Sequence, residues 1–476
     1  MILLTHRVMR LSIEAATNLS RENWRALIII AGMPANFWKS MLAESKKSST
    51  APLKWLLSND RSRQASGPPL EAGSRQALEQ EARLTEMRPS VGSVMEAVRS
   101  KPKASVPPER PSPLSIAHVG DSMEMGGAEK LTATLCRLQR DRGHTASVHC
   151  LYRLGVIGEE LRTEGFDVIL HPPCSFFYLM RSLYRAFRRS TPDVVHCHNA
   201  TAAIFAALPA RLAGVKTVIV TRHGLVKPPY QLPRELKFAL ASRCCDWIVG
   251  VCEGTRTNLL AAPFAARDRI IHIYNGALPA DIRAVPRPKS GFTLLYVGRL
   301  APLKDHATLL RALALTRLHH PNVQLWIVGD GPLEVSLRKL SDELGLKECV
   351  TFFGEQADVS PFMLAADLFV SSSVTEGLPV SLLEAMSVGL PALVTDVGGM
   401  GEIARLSGAV TLVPSSDPEG MAEALCDAVV RRQELPKMGR LASFCYEQYF
   451  RPERMSDDYM SLYNRCISRH QALHSA

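Results

Sequence analysis

From Leu114 onward the chain alternates short apolar runs with longer stretches in which apolar residues return every three or four positions. The first run, "LSIAHVG", predicts a strand, and "MGGAEKLTATLCRLQRDRGH" behind it predicts a helix. In that helix Leu131, Leu135 and Leu138 share one face, and Gly143 falls where a left-handed C-terminal cap belongs. Further strands read as "SVHCLY", "DVVHCH", "KTVIVTR", "DWIVGV" and "IIHIYNG". Continuously apolar strands alternating with helices argue for parallel sheets covered on both faces.

The stretch "AVPRPKSG" (Ala284–Gly291) interrupts the alternation, and a second series follows it. Its strands are "FTLLYVGRL", "VQLWIVGDGP", "CVTFFG", "DLFVSSS", "PALVTD" and "AVTLV", separated by helical patterns. The expected fold class is therefore α/β, with two doubly wound Rossmann-like domains joined by a short Pro-containing hinge. The closing "RPERMSDDYMSLYNRCI" reads as one more amphipathic helix, and no short tandem repeat is visible.

Composition sets off the first 112 residues. From Ser48 this leader is rich in Ser, Pro, Arg and Glu, a mixture that buries too little apolar surface to offset its ordering entropy. It is expected to be largely disorder or linker, with a helix around "LEQEARLTEM". No run of about 18 apolar residues exists to span a membrane, and "ALIIIAGM" is too short. The leader holds 17 Lys+Arg against 10 Asp+Glu, and the remainder holds 39 against 36. The basic excess thus lies mostly outside the two domains, so nucleic acid is not an expected partner. The 11 cysteines are scattered without any Cys-x-x-Cys pair, which suits free thiols in a reducing, cytoplasmic setting.

Ligands of open parallel sheets bind outside the carboxyl ends of the strands. Four loops of the second series fall there: "VGRLAPLK", "VGDGP", "FFGE" and "SSSVTEGLP". Pro379 is expected at the first position of a helix, with the amides of Leu378, Val380 and Ser381 facing outward as an anion site. Arg299 and Lys304 add two cations, each able to contribute roughly 1.5–3 kcal/mol through charge-assisted bonds. Together they suit a diphosphate. Glu384, inside the helix, can accept both hydroxyls of a ribose, and Glu376, ahead of the turn, can reach the group beyond the phosphates.

Taken together, these motifs resemble the donor-binding half of a retaining glycosyltransferase of family 4, in the GT-B fold. The matching elements are "GRLAPLKDHATLLRA", "VGDGP", "FFGE" and "EGLPVSLLEAMSVGLPALVTDVGGMGEI", the last carrying the family's paired glutamates, Glu376 and Glu384, with seven residues between them. "GGAEKL", "PDVVHCHN", "TRHG" and "IYNG" extend the similarity through the first domain, over about residues 114–470. The resemblance implies a leader (1–112), an acceptor domain (113–284), a donor domain (285–450) and a last helix (451–476) crossing back to the acceptor domain.

It further implies that Arg299 and Lys304 hold the diphosphate of a sugar nucleotide, with Glu384 on the ribose and Glu376 on the transferred sugar. Gly126 and Gly127 would form a close-approach loop, His223 would sit beside the reacting sugar and His198 on the acceptor side. Gly329, Gly354, Gly377, Leu378 and Val380 would complete the donor pocket. Where the family often places an Asp after "NG", this chain has Leu278.

His196 and His198, two apart on a strand, are read as pointing to opposite faces and so unable to share a metal. No Asp-x-Asp occurs. No cofactor or metal is expected, and the cations and helix amides would stabilise the leaving diphosphate. The acceptor would be a glycan or lipid-linked sugar of cell-surface polysaccharide or glycolipid assembly. "SFFYLMRSLYRAFRRS" (Ser175–Ser190) reads either as a sheet-covering helix or as a basic amphipathic helix on the cytoplasmic face of an anionic membrane. Two other functions would use similar architecture: an inactive sugar-nucleotide-binding module and an NAD(P)-dependent oxidoreductase. The latter lacks its Gly-x-Gly-x-x-Gly here, since the first domain offers Gly120, Gly126 and Gly127.

Overall fold

The computed structural model describes residues 112–171, 175–226, 232–262, 267–279 and 291–475. The predicted leader helix, the apolar "ALIIIAGM" and nearly all of the Pro-containing hinge lie outside the described residues.

The first lobe runs β1 (Ser115–Ser122), α1 (Gly127–Asp141), β2 (Thr145–Arg153), α2 (Gly155–Thr163), β3 (Asp167–Leu170), α3 (Phe176–Ser190), β4 (Val194–His198), α4 (Asn199–Leu212), β5 (Thr217–Arg222), α5 (Leu232–Ser242), β6 (Trp247–Gly250), α6 (Glu253–Ala261) and β7 (Ile270–His272). Its strands form one parallel sheet in the order β3-β2-β1-β4-β5-β6-β7. Strand β3 is absent from the sequence-based expectation. It has four residues, exposed at both ends and flanked by loop-like residues, so its period-two signal is too short to read.

The second lobe runs β8 (Phe292–Val297), α7 (His306–Arg317), β9 (Val323–Val328), α8 (Glu334–Glu343), β10 (Val350–Gly354), α9 (Ser360–Ala365), β11 (Leu368–Ser371), α10 (Val380–Ser387), β12 (Ala392–Thr395), α11 (Met400–Ser407), β13 (Val410–Val413), α12 (Pro418–Val430) and α13 (Leu435–Tyr449). Its parallel order is β10-β9-β8-β11-β12-β13. Strand order reverses between β1 and β4 in the first sheet and between β8 and β11 in the second. At such switch points the following loops diverge and leave a crevice at the carboxyl edge.

Strands β4 and β5 are buried along their whole length, so that their His, Thr and Arg side chains lie inside along with the valines and isoleucine. The alanine-rich α4 lies close on them: Ala202, Ala203, Ala206, Ala207 and Ala210 are fully buried. In α1, Leu131 and Leu135 are buried, and Gly143 takes a positive φ of 85° past its end.

The last helix, α14 (Pro452–Ser475), packs on the first lobe. Its Tyr459 and Tyr463 are buried there, with hydroxyls 2.9 Å from Thr221 Oγ1 and 2.8 Å from His196 Nδ1. Arg142, just past α1, pairs with Asp457 at 2.8 Å. The ten described cysteines are all free.

Candidate active site

The rim of the second sheet is built from strand-end turns. Gly329 ends β9 at φ 136°, and a Cβ there would overlap the carbonyl oxygen of Gly298 at the end of β8. Its N–H donates to the Gly354 carbonyl at 2.7 Å, joining the ends of β9 and β10. The loop after β8 carries Arg299, exposed, and a single 3₁₀ turn, Pro302–Lys304. That turn is tied to the loop after β11, since Ser372 Oγ donates to the Lys304 carbonyl at 3.0 Å and Val374 N–H to that of Leu303 at 3.0 Å.

These ties bring two predicted residues together. The Lys304 ammonium forms an ion pair with the Glu376 carboxylate, whose Oε1 also accepts from Ser373 Oγ at 2.7 Å. Groups expected at different parts of one ligand thus share a hydrogen bond. Pro379 stands one position earlier than expected, as the N-cap of α10 in extended conformation (φ −69°, ψ 128°), and Val380 opens the helix. The ring still leaves no N–H to satisfy, so the shift costs the helix nothing.

Glu384 lies within α10, largely buried, and burial raises its pKa above the ordinary carboxylate value. Lys130 of α1 opposes that rise from 3.8 Å, and Asp358 adds to it. Lys130 and Glu384 line an interlobe cavity of about 290 Å³ together with Arg137, Leu278, Asp358 and Val380.

The two lobes meet around the Glu376–Val380 turn. A Cβ on Gly377 would overlap the backbone carbonyl oxygen of His223, so only glycine permits this approach. Cys252 Sγ lies 3.6 Å from the Gly377 carbonyl, and Asn275 Nδ2 donates to that of Leu378 at 2.9 Å. A Cβ on Gly127 would meet Val380 Cγ2 at 3.3 Å. Gly126 is the extended N-cap of α1, and a Cβ on it would run into the Glu129 carboxylate. Burial raises the Glu129 pKa, while Arg299, across the junction, draws it back down. Glu402 of α11 accepts the Gly254 N–H at the start of α6 at 3.2 Å, and also the Tyr274 hydroxyl.

His196 and His198 do not point to opposite faces. Side chains two apart on a strand share a face, and the two rings lie 4.3 Å apart, centroid to centroid. With His118 of β1 they form a buried group whose ring nitrogens lie within 4.8 Å of one another, a spacing that could hold a metal ion. Every nitrogen of the three already has a protein partner, however. His118 bonds Gln139 Oε1 (2.9 Å) and His198 (3.0 Å), and His198 bonds His223 Nε2 (3.2 Å). His196 bonds Thr221 and Tyr463, each at 2.8 Å. A cation would have to break these bonds. His223 follows β5, its N–H donating to Asn199 Oδ1 at 3.2 Å, and burial lowers its pKa to about 4.

Lys130, Ser373, Asn275 and Gln139 were not anticipated as parts of the site. Only Lys130 carried a visible signal, as a cation beside the predicted Gly126–Gly127 loop.

The arrangement defines a class: a two-lobed α/β protein with a polar cleft where two carboxyl edges meet. Residues 279–441 match the family "Glycosyl transferases group 1", and residues 125–279 match "Glycosyltransferase Family 4". The chain is 30% identical over 366 residues to the lipopolysaccharide core biosynthesis glycosyltransferase LpsD of Rhizobium meliloti, spanning 75% of this chain and 100% of that one. It is 27% identical to the UDP-Gal:alpha-D-GlcNAc-diphosphoundecaprenol alpha-1,3-galactosyltransferase of Escherichia coli, over 46% of this chain and 61% of the enzyme. Its fold is similar to that of Anabaena HepE, solved in complex with UDP-glucose (TM-score 0.67, 20% identity, 74% of this chain and 100% of that one). The chain belongs to the family 4, group 1 glycosyltransferases and has the GT-B fold.

Proposed function

We propose that this glycosyltransferase moves a sugar from a nucleoside-diphosphate donor to a glycan or lipid-linked acceptor, with retention of anomeric configuration and without a metal ion. The observation that carries the reading is the Lys304–Glu376 ion pair on the carboxyl edge of the second sheet, where the adjoining Gly377 meets His223, with Arg299 on the same loop as Lys304 and Glu384 in the helix that follows. Arg299 and Lys304 would take the diphosphate. Preorganised cations stabilise charge developing on a leaving group without reorganisation cost. Glu384 would hold the ribose, and Glu376, oriented by Ser373 and Lys304, the hydroxyls of the transferred sugar.

Names among the relatives favour a cell-surface acceptor: one is a lipopolysaccharide core enzyme, and another acts on a sugar linked to diphosphoundecaprenol. Among the described residues no helix is long and apolar enough to cross a membrane. Helix α3 instead exposes Phe177 (73%) and Tyr178 (54%), together with Arg181, Arg185, Arg188 and Arg189. Aromatic rings beside arginines that make no ion pair among the described residues suit a peripheral site on anionic lipid, at the cytoplasmic face where nucleotide sugars would be supplied.

The deciding experiment is nucleotide release from a panel of sugar nucleotides, with and without acceptor lipid and with chelator present. Turnover that needs a donor and persists in chelator, with product anomers matching the donor by NMR, is the expected result. Inverted product or strict dependence on added divalent metal would refute the mechanism.

A further inference from the structure

A chain of side-chain hydrogen bonds runs beneath the site from Gln139 through His118 and His198 to His223, with links of 2.9, 3.0 and 3.2 Å. All three imidazoles are held neutral, because burial is the largest influence on each and lowers its pKa. A neutral imidazole has one donor and one acceptor nitrogen, so the whole chain must point one way. Its direction is set at the root, where the Gln139 carbonyl oxygen can only accept and His118 Nε2 must therefore carry the proton. His118 Nδ1 then accepts from His198 Nε2–H, and His198 Nδ1 accepts from His223 Nε2–H.

Gln139 presents its other end to α14. The amide nitrogen Nε2 at that end is buried and makes no hydrogen bond of good geometry. At the far end, His223 Nδ1 is buried and has no hydrogen-bond partner. An orphaned polar atom of this kind is costly to keep unless something fills the bond. The residue carrying it abuts Gly377, beside the carboxylate assigned above to the sugar.

We infer that Gln139 and His118 are positioning residues that fix the His223 tautomer, so that Nδ1 offers a lone pair to a hydroxyl of the transferred sugar. This rests on the reading that His223 lies beside that sugar. A hydroxyl donor satisfies the buried lone pair, whereas a sugar lacking that hydroxyl would leave it empty.

The test is long-range ¹H–¹⁵N correlation on the full chain labelled at histidine, which needs no activity. The expected spectrum has His118, His198 and His223 all neutral with the proton on Nε2. A proton on Nδ1 of His223 overturns the inference whether or not transfer is observed. Gln139→Leu should leave His223 as a tautomer mixture and lower kcat about tenfold, one hydrogen bond's worth, with donor KM little changed. A mixed tautomer with wild-type kcat would also overturn it. Should Gln139→Leu fail to fold, Gln139→Glu, an acceptor in either orientation, must preserve the wild-type tautomers. If the tautomers are as expected but no sugar nucleotide turns over, the functional reading fails and the relay stands.

Discussion

The Lys130 ammonium of α1 lies 3.8 Å from the Glu384 carboxylate of α10, an ion pair that joins the two lobes across the cleft. Neither group is fully exposed, so water screens the pair incompletely. Lys130→Ala would leave the burial of Glu384 unopposed and push its pKa further up. We expect donor KM to rise about tenfold, the worth of one charge-assisted contact, and to worsen as pH falls. Donor KM across pH for both proteins checks this, and parallel profiles would count against it.

Arg299 should act in the transition state. Arg299→Ala is expected to lower kcat by about 10²–10³ while the melting temperature holds, since the side chain is exposed. Near-wild-type turnover would remove it from the mechanism.

Lys304 and Glu376 should behave as one unit. Because they are ion-paired and share Ser373, the losses on Lys304→Ala and Glu376→Ala should not add. A double-mutant cycle on kcat/KM should give a coupling of about 0.5–3 kcal/mol. Additive losses would mean that the ion pair positions neither residue for its part of the ligand.

Gly377→Ala would force a methyl group into the His223 carbonyl. Backbone gives little, so the lobes must part, at a cost of about 1–3 kcal/mol. Each lobe keeps its own core, and the expected result is a folded protein with a larger radius of gyration by solution scattering and little activity. An unchanged radius would contradict the close approach.

Acid should destabilise the fold well above the carboxylate range. Burial lowers His118, His223 and His306 to about 4 and His149 to about 3, from an ordinary 6.5. Between those values the unfolded chain binds more protons than the folded one, so stability falls as pH drops. Each histidine contributes about 1.4 kcal/mol per pH unit there. Asp121, Glu129 and Glu384 work the other way, since their raised pKa values favour the folded state as pH falls. The histidines outnumber them, so melting temperature should drop between pH 7 and pH 5. A flat or rising profile would show that the imidazoles are not buried neutral.

Much of the architecture could be read from the text because parallel strands buried on both faces are written as unbroken apolar runs. Strand β3 escaped for the opposite reason, being short and half exposed. At the site, Arg299, Lys304, Glu376 and Glu384 were visible because strand-end loops carry local signatures. The partnerships were not. Lys130 and Glu384 stand 254 positions apart, and nothing in either neighbourhood announces the other. The histidine error was one of geometry, since a period of two puts His196 and His198 on one face and makes their contact legible in principle.

The chain passes between lobes twice, and the two passages touch. Ala277 N–H donates to the Phe450 carbonyl at 3.0 Å, Tyr446 donates to the Ala277 carbonyl at 2.8 Å, and a Cβ on Gly276 would press on Arg451 and Pro452. Two strands of backbone fastened at one spot make a pivot rather than a tether. Any parting of the halves would therefore turn about that knot like covers on a spine, and would widen the far margin most.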